Sequence, residues 1–256
     1  MNNRVEQAND RFNWFWQWAN PTKFMSLTGS LLPWLVGGTL ITLLPGLIWG
    51  FFFTTPAVNF GSSVKIIYVH VPSAIMAISA WYMMLAASVI WLVRRHHVSA
   101  LAAKAAAPVG VVFTMAALVT GAIWGQPMWG TYWAWDPRLT SFLILFLFYL
   151  GYMALWASIE NPETAADLTA VTAIVGSVFA TLSRYAVNFW NQGLHQGASL
   201  SLDRDEHVAD SYWVPLVLCI IGVFLLFVLL VFVRTRTELR LKRLNALEMR
   251  ERMRDA

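Results

Sequence analysis

The sequence predicts an all-α integral membrane protein, a bundle of six transmembrane helices. Three observations carry that reading. Of 256 residues, 58% are hydrophobic and only 12% charged, with a mean hydropathy of +0.55, where a soluble domain carries roughly 25% charge. Six apolar runs, residues 31–53, 68–93, 105–124, 139–159, 168–190 and 212–233, each approach or exceed the roughly 20 residues a helix needs to cross about 30 Å of hydrocarbon. None shows the alternating ten-residue pattern of a membrane barrel strand, and without water to satisfy backbone groups helix is the expected form.

Taken in order, residues 1–30 read as a cytoplasmic or interfacial segment. Its start is polar and aromatic and does not resemble a cleaved signal, so the first span is expected to be retained. Trp14, Phe15 and Trp18 fall within about one helical turn and suit a membrane surface; a plain tail fits them equally. The membrane domain follows at 31–233. Pro45 is expected to kink the first span, and Gly121 with Gly125 permits close helix contact near the end of the third. The tail, 234–256, alternates Arg with Leu and Met. Its pairs Glu238/Lys242 and Glu248/Arg252 favour helix at i,i+4 spacing, and its charge suits anionic lipid or a partner subunit.

Sidedness follows from the basic residues. Fourteen of the 18 Lys and Arg lie before the first span, between the second and third, or after the sixth. The positive-inside rule therefore makes both termini cytoplasmic. The loops at 54–67, 124–140 and 191–211 are then external, which in a bacterium means the periplasmic face of the inner membrane. The single cysteine, Cys219, excludes an intrachain disulfide, a Cys-pair metal site and a thioether haem-attachment motif.

Chemistry is expected in the segment Trp124-Gly-Gln-Pro-Met-Trp129-Gly-Thr-Tyr-Trp133-Ala-Trp135-Asp136-Pro-Arg138. It is too polar to cross a bilayer and too aromatic for an ordinary loop. An interfacial belt of Trp anchors is the plain alternative. Asp136 before Pro137 also reads as the N-cap of the fourth helix.

Topology sorts the five histidines. His96 and His97 follow two arginines on the cytoplasmic side, and His207 sits in the charged run Asp-Arg-Asp-Glu-His; all three read as solvated. His70, in Ile-Tyr-Val-His-Val-Pro at the outer mouth of span two, and His195, in Trp190-Asn-Gln-Gly-Leu-His-Gln-Gly197, remain. Each alone suits a hydrogen-bonded interfacial histidine. Together with the Trp segment they suit a haem site: iron has two axial positions that histidines can fill, the porphyrin needs aromatic surface, and its propionates need cations. Trp129, Trp133 and Trp135 supply surface, His70 and His195 ligands, and Arg138, Arg184 or Lys65 the cations.

At these residues the chain resembles a known family. Residues 129–140, Trp-Gly-Thr-Tyr-Trp-Ala-Trp-Asp-Pro-Arg-Leu-Thr, are similar to the WWD signature, Trp-Gly-x-x-Trp-x-Trp-Asp-x-Arg-Leu-Thr, of the haem-handling proteins of cytochrome c maturation. Tyr132 stands at a position that is Trp in some relatives. One WWD segment between helices 3 and 4, a Tyr-x-His-Val-Pro histidine and the His195 segment resemble the CcmC type, the haem exporter protein C of system I; larger WWD relatives have many more spans. The resemblance covers nearly all of residues 31–233. It implies haem b held non-covalently as cargo at the outer face, with His70 and His195 as axial ligands and Trp129, Trp133, Trp135 and Asp136 as signature residues. It also implies delivery to a membrane-anchored haem chaperone, CcmE, helped by the ATP-binding cassette subunits CcmA and CcmB and the small subunit CcmD. No enzymatic step and no nucleic-acid partner are expected. Two other readings remain: a bis-histidine haem oxidoreductase, which would place its ligands deep between helices, and a permease whose Trp segment is only a belt.

Overall fold

A computed structural model describes residues 20–58, 60–189 and 210–255. Its elements are α1 (Pro21–Ile48), which runs on as a π-helical turn over Trp49–Phe53; a 3-10 turn, Ser62–Ile66; α2 (Ile67–Arg94); α3 (His97–Trp129); α4 (Pro137–Ser158); α5 (Pro162–Phe189); and α6 (Asp210–Asp255). Among the described residues six helices are long and apolar enough to cross a membrane, and none of these residues forms a β-strand.

The helices start where side chains satisfy their first amides. Asn20 and Asp136 accept hydrogen bonds from Thr22 N–H (2.9 Å) and Leu139 N–H (2.6 Å), each with proline at N1, the position where a missing N–H costs nothing. Asn161 serves α5 in the same way, accepting from Glu163 and Thr164. In α3 the cap is an imidazole, with His96 Nδ1 accepting from Ser99 N–H at 2.9 Å. Left-handed residues end two helices: Arg95 (φ 52°) closes α2, and Gly130 (φ 74°) closes α3.

Several ends differ from the apolar runs. α1 begins at Pro21 rather than at residue 31. α3 continues past Trp124 to Trp129, so half of the Trp-rich segment is helical and only residues 130–136 form the connection to α4. The basic tail continues the sixth span as one helix to Asp255. Hydropathy reports where lipid contact ends, whereas backbone bonding continues until a cap or a helix breaker intervenes.

α2 and α3 pack against each other at the centre, with α1 and α6 paired on one side and α4 and α5 on the other. The core is built by fitting rings onto glycines. Trp81 is fully buried, donates Nε1–H to Ala173 O (3.0 Å), and lies on Gly176, where a Cβ would fall 2.2 Å from the indole. Tyr149 donates its hydroxyl to Ala77 O (2.7 Å), packs edge-on to Trp81 at 4.6 Å, and occupies the space of a side chain at Gly110. Lipid supplies little hydrophobic drive between helices, so close packing and such cross-helix bonds hold the bundle. α1 is the least enclosed span; Trp34 and Phe52 are 80% and 78% exposed, as suits a lipid-facing helix.

The end of the bundle remote from His70 is cross-linked by charge. Asp167 accepts from Trp91 Nε1–H and pairs with Arg95. Lys104 bridges to Glu238 at 2.8 Å, Arg234 donates to Ala105 O, and Arg236 donates to Met25 O and Thr28. These contacts fix α6 against α1 and α3 just before it leaves the bundle.

Candidate functional site

His70 is the fourth residue of α2, which is entered through the 3-10 turn Ser62–Ile66. Pro72 therefore falls in the second turn and removes the i→i−4 bond to the Tyr68 carbonyl. The half-buried imidazole docks on α3. Its Nδ1 lies 3.0 Å from Thr120 Oγ1, and its Cε1 sits over Gly121, where a Cβ would approach to 3.0 Å. Gly121 thus makes room for the ring. Thr120 was not legible as a site residue: nothing in the sequence distinguishes it from the other helical threonines, and its partner is 50 positions away.

Trp124 lies one turn further along α3, on the same helical face as Gly121. It meets Phe60 at 6.3 Å and Trp129 edge-to-face at 5.4 Å. Gly125 allows the second contact, since a Cβ there would stand 2.9 Å from the Trp129 ring. In the connection, Trp133 and Trp135 form another edge-to-face pair, 5.5 Å apart. Trp135 is 76% exposed, whereas Trp129 and Trp133 are half-buried. Gly130 turns the chain at the end of α3, and the Thr131 hydroxyl holds the following turn by donating to Trp133 O and accepting from Trp133 N–H.

Asp136 is 4% exposed and caps α4 as the sequence suggests. Arg138, in the first turn of α4, feels the Asp136 carboxylate and the like charge of Arg184 from α5. Neither guanidinium is in an ion pair among the described residues. Among the described residues, Arg138 Nε and Trp133 Nε1 are buried with no hydrogen-bond partner. A buried unsatisfied donor costs about 1–3 kcal/mol, and Arg138 Nε, beside the like charge of Arg184, suits a carboxylate-bearing ligand. Lys65 differs: its Nζ donates to Phe51 O at 2.8 Å and ties the mouth of α2 to the end of α1. Arg184 is exposed and lies 5.6 Å over the Tyr185 ring. His195 and His207 lie outside the described residues.

The arrangement brings His70, Thr120, Gly121 and the Trp124/Trp129 pair onto one end of α2 and α3, sets Trp133, Trp135 and Asp136 on the adjoining connection, and puts Arg138 in the first turn of α4. It offers an imidazole, indole surface and two guanidiniums that form no ion pair among the described residues.

A family model described as Heme exporter protein C matches residues 14–250. Similar proteins of that name occur in Rhodobacter capsulatus, 71% identical over 93% of this chain and 98% of the relative, and in Paracoccus denitrificans, 65% identical over 92% and 98%. The Escherichia coli protein of the same name is 39% identical over 86% of this chain and 88% of its own length. The chain belongs to the Heme exporter protein C family.

Proposed function

We propose that this multi-pass protein of the bacterial inner membrane serves haem export for cytochrome c maturation, holding haem b non-covalently as cargo and presenting it at the periplasmic face. The observation that carries the reading is the docking of His70 on Thr120–Gly121, one helical turn from Trp124, in a chain of this family. The donor set fits the group. A neutral imidazole is an iron ligand, the indoles of Trp129, Trp133 and Trp135 match a wide apolar disc, and Arg138 with Arg184 provides two positive charges for two propionates.

In this reading His70 and His195 would supply imidazole ligands to the iron, and the Trp surface would shield the haem from water. Asp136 holds the start of α4 so that Arg138 stays at the rim. The protein makes and breaks no covalent bond. It releases haem by ligand exchange to the chaperone CcmE, working with CcmA, CcmB and CcmD as partner subunits. The basic-residue count supports the sidedness, placing both termini in the cytoplasm and the Trp segment outside. His70 sits at a helix end rather than mid-span, which favours delivery at the surface over electron transfer across the bilayer.

The test is the absorption spectrum of the purified protein supplied with haem. Two imidazole ligands give a six-coordinate, low-spin spectrum, and His70→Ala or His195→Ala should each change it. A protein that stays colourless, or variants with the parent spectrum, would reject the site.

A further inference from the structure

We infer that Thr120 is a positioning residue that fixes the tautomer of His70, placing the imidazole proton on Nδ1 and the metal-binding lone pair on Nε2. The argument is one of proton counting. A threonine hydroxyl has one hydrogen to give and two lone pairs. That hydrogen is directed to the chain's own helix: Thr120 Oγ1 lies 2.6 Å from Ala116 O and 3.3 Å from Ala117 O, the common back-bonding of a helical threonine. Toward His70 the oxygen then acts as an acceptor, and the 3.0 Å contact with Nδ1 requires Nδ1–H to donate. In a neutral imidazole the lone pair must then reside on Nε2, on the opposite edge of the ring.

Gly121 completes the device. The ring atom over it is Cε1, the carbon between the two nitrogens, at 3.0 Å from the position of an added Cβ. Adjacent residues of α3 thus set the proton and the tilt of one imidazole. A hydrogen bond to the non-ligating nitrogen raises the basicity of the ligating one and orients it, and loss of such partners typically weakens metal binding by about 10–100-fold. The hydroxyl is a neutral acceptor, so the lower end of that range applies.

The ligation part of this inference rests on the proposed haem site; the tautomer part does not. The test uses the full chain in detergent, parent, Thr120→Val (similar shape, no hydroxyl) and Thr120→Ser (hydroxyl kept). The first readout is nitrogen NMR of labelled histidine in haem-free protein, at pH about 8 so that an imidazole of ordinary pKa is neutral, with the His70 signals assigned by their loss in His70→Ala. Parent and Thr120→Ser should carry the proton on Nδ1, and Thr120→Val should shift toward the other tautomer. A parent with the proton on Nε2, or a Thr120→Val protein with an unchanged tautomer, overturns the inference. The second readout is haem titration and the midpoint potential. Thr120→Val should bind ferric haem about tenfold more weakly and show a raised potential, because a less basic imidazole stabilises ferric iron less; Thr120→Ser should match the parent. If the tautomer shifts but Thr120→Val binds haem as the parent does, while His70→Ala fails to, the positioning role is overturned and the haem site stands. If His70→Ala itself binds haem with the parent's spectrum, the haem reading and the ligation role fall together.

Discussion

Gly121→Ala should change sign with the residue at position 70. The added Cβ would stand 3.0 Å from His70 Cε1, against about 3.5–4.0 Å for carbon atoms at their optimum, so the ring must retreat by roughly 0.5 Å or more. The Nδ1 contact with Thr120 is already 3.0 Å. A shift of that size away from α3 takes it to about 3.5 Å, where the bond is effectively lost. Losing one hydrogen bond costs about 1 kcal/mol, and forcing the imidazole off its rotamer adds roughly 0.5–1.5 kcal/mol. Against this, alanine is the better helix former by about 0.8–1.0 kcal/mol. The net expectation is a loss of roughly 0.5–1.5 kcal/mol with His70 present and a gain of up to about 1 kcal/mol in a His70→Ala background. Reversible unfolding in mixed micelles, run on the four members of the double-mutant cycle, measures the difference directly. Equal effects in the two backgrounds would refute the claim that His70 is what the glycine accommodates.

Two further perturbations probe the caps. His96→Ala removes the acceptor that receives Ser99 N–H and should cost about 1 kcal/mol, with Asn restoring most of it; thermal unfolding reads both. Burial holds the His96 pKa below the ordinary 6.5, so the folded state favours the neutral ring. Its contribution is complete above pH about 6.5 and declines as pH falls through the lowered folded value; that decline should be absent in His96→Asn. At the other end of the bundle, Asp136→Ala should cost about 1 kcal/mol through its cap to Leu139 N–H, while Asp136→Asn retains that part. An Asn variant as unstable as the Ala variant would show that the charge opposite Arg138, rather than the cap, dominates there.

The six spans were legible because each is an apolar run, and the α4 cap because Asp-Pro before such a run has few other readings. The extents were not. Asn20–Pro21 is a cap signal as clear as Asp136–Pro137, but it lies in a stretch too polar for hydropathy to mark as span. Residues 124–129 looked like loop because they are aromatic and polar, yet α3 continues until Gly130 takes a positive φ that ends it. For the site, sequence could nominate His70, the Trp residues and Arg138 by type, since imidazole, indole and guanidinium each suit one part of haem. It could not rank the cations. Lys65 proves to be committed to Phe51 O, whereas Arg138 Nε is buried with no partner among the described residues. That distinction depends on which backbone carbonyl a side chain can reach, a matter of tertiary geometry.

The distribution of satisfied and unsatisfied groups along the bundle bears on function. At the middle, Trp81 and Tyr149 each bond a backbone carbonyl on another helix and fill the space over a glycine. At the end remote from His70, Asp167 and Glu238 meet basic partners, and Arg236 is held by Met25 and Thr28. At the His70 end, Trp133 Nε1 and Arg138 Nε are buried without hydrogen-bond partners among the described residues, as are Thr39 Oγ1 and Trp156 Nε1 elsewhere in the bundle, and Arg138 feels both the Asp136 carboxylate and the like charge of Arg184. Two buried orphans at about 1–3 kcal/mol each are a large fraction of a typical net stability of 5–15 kcal/mol. A fold selected for stability alone would replace them with apolar groups; departures from local consistency of this kind concentrate at functional sites. In the proposed reading, a ligand bearing carboxylates would relieve the Arg138 cost on binding, and the Trp133 donor would gain an acceptor in the same way.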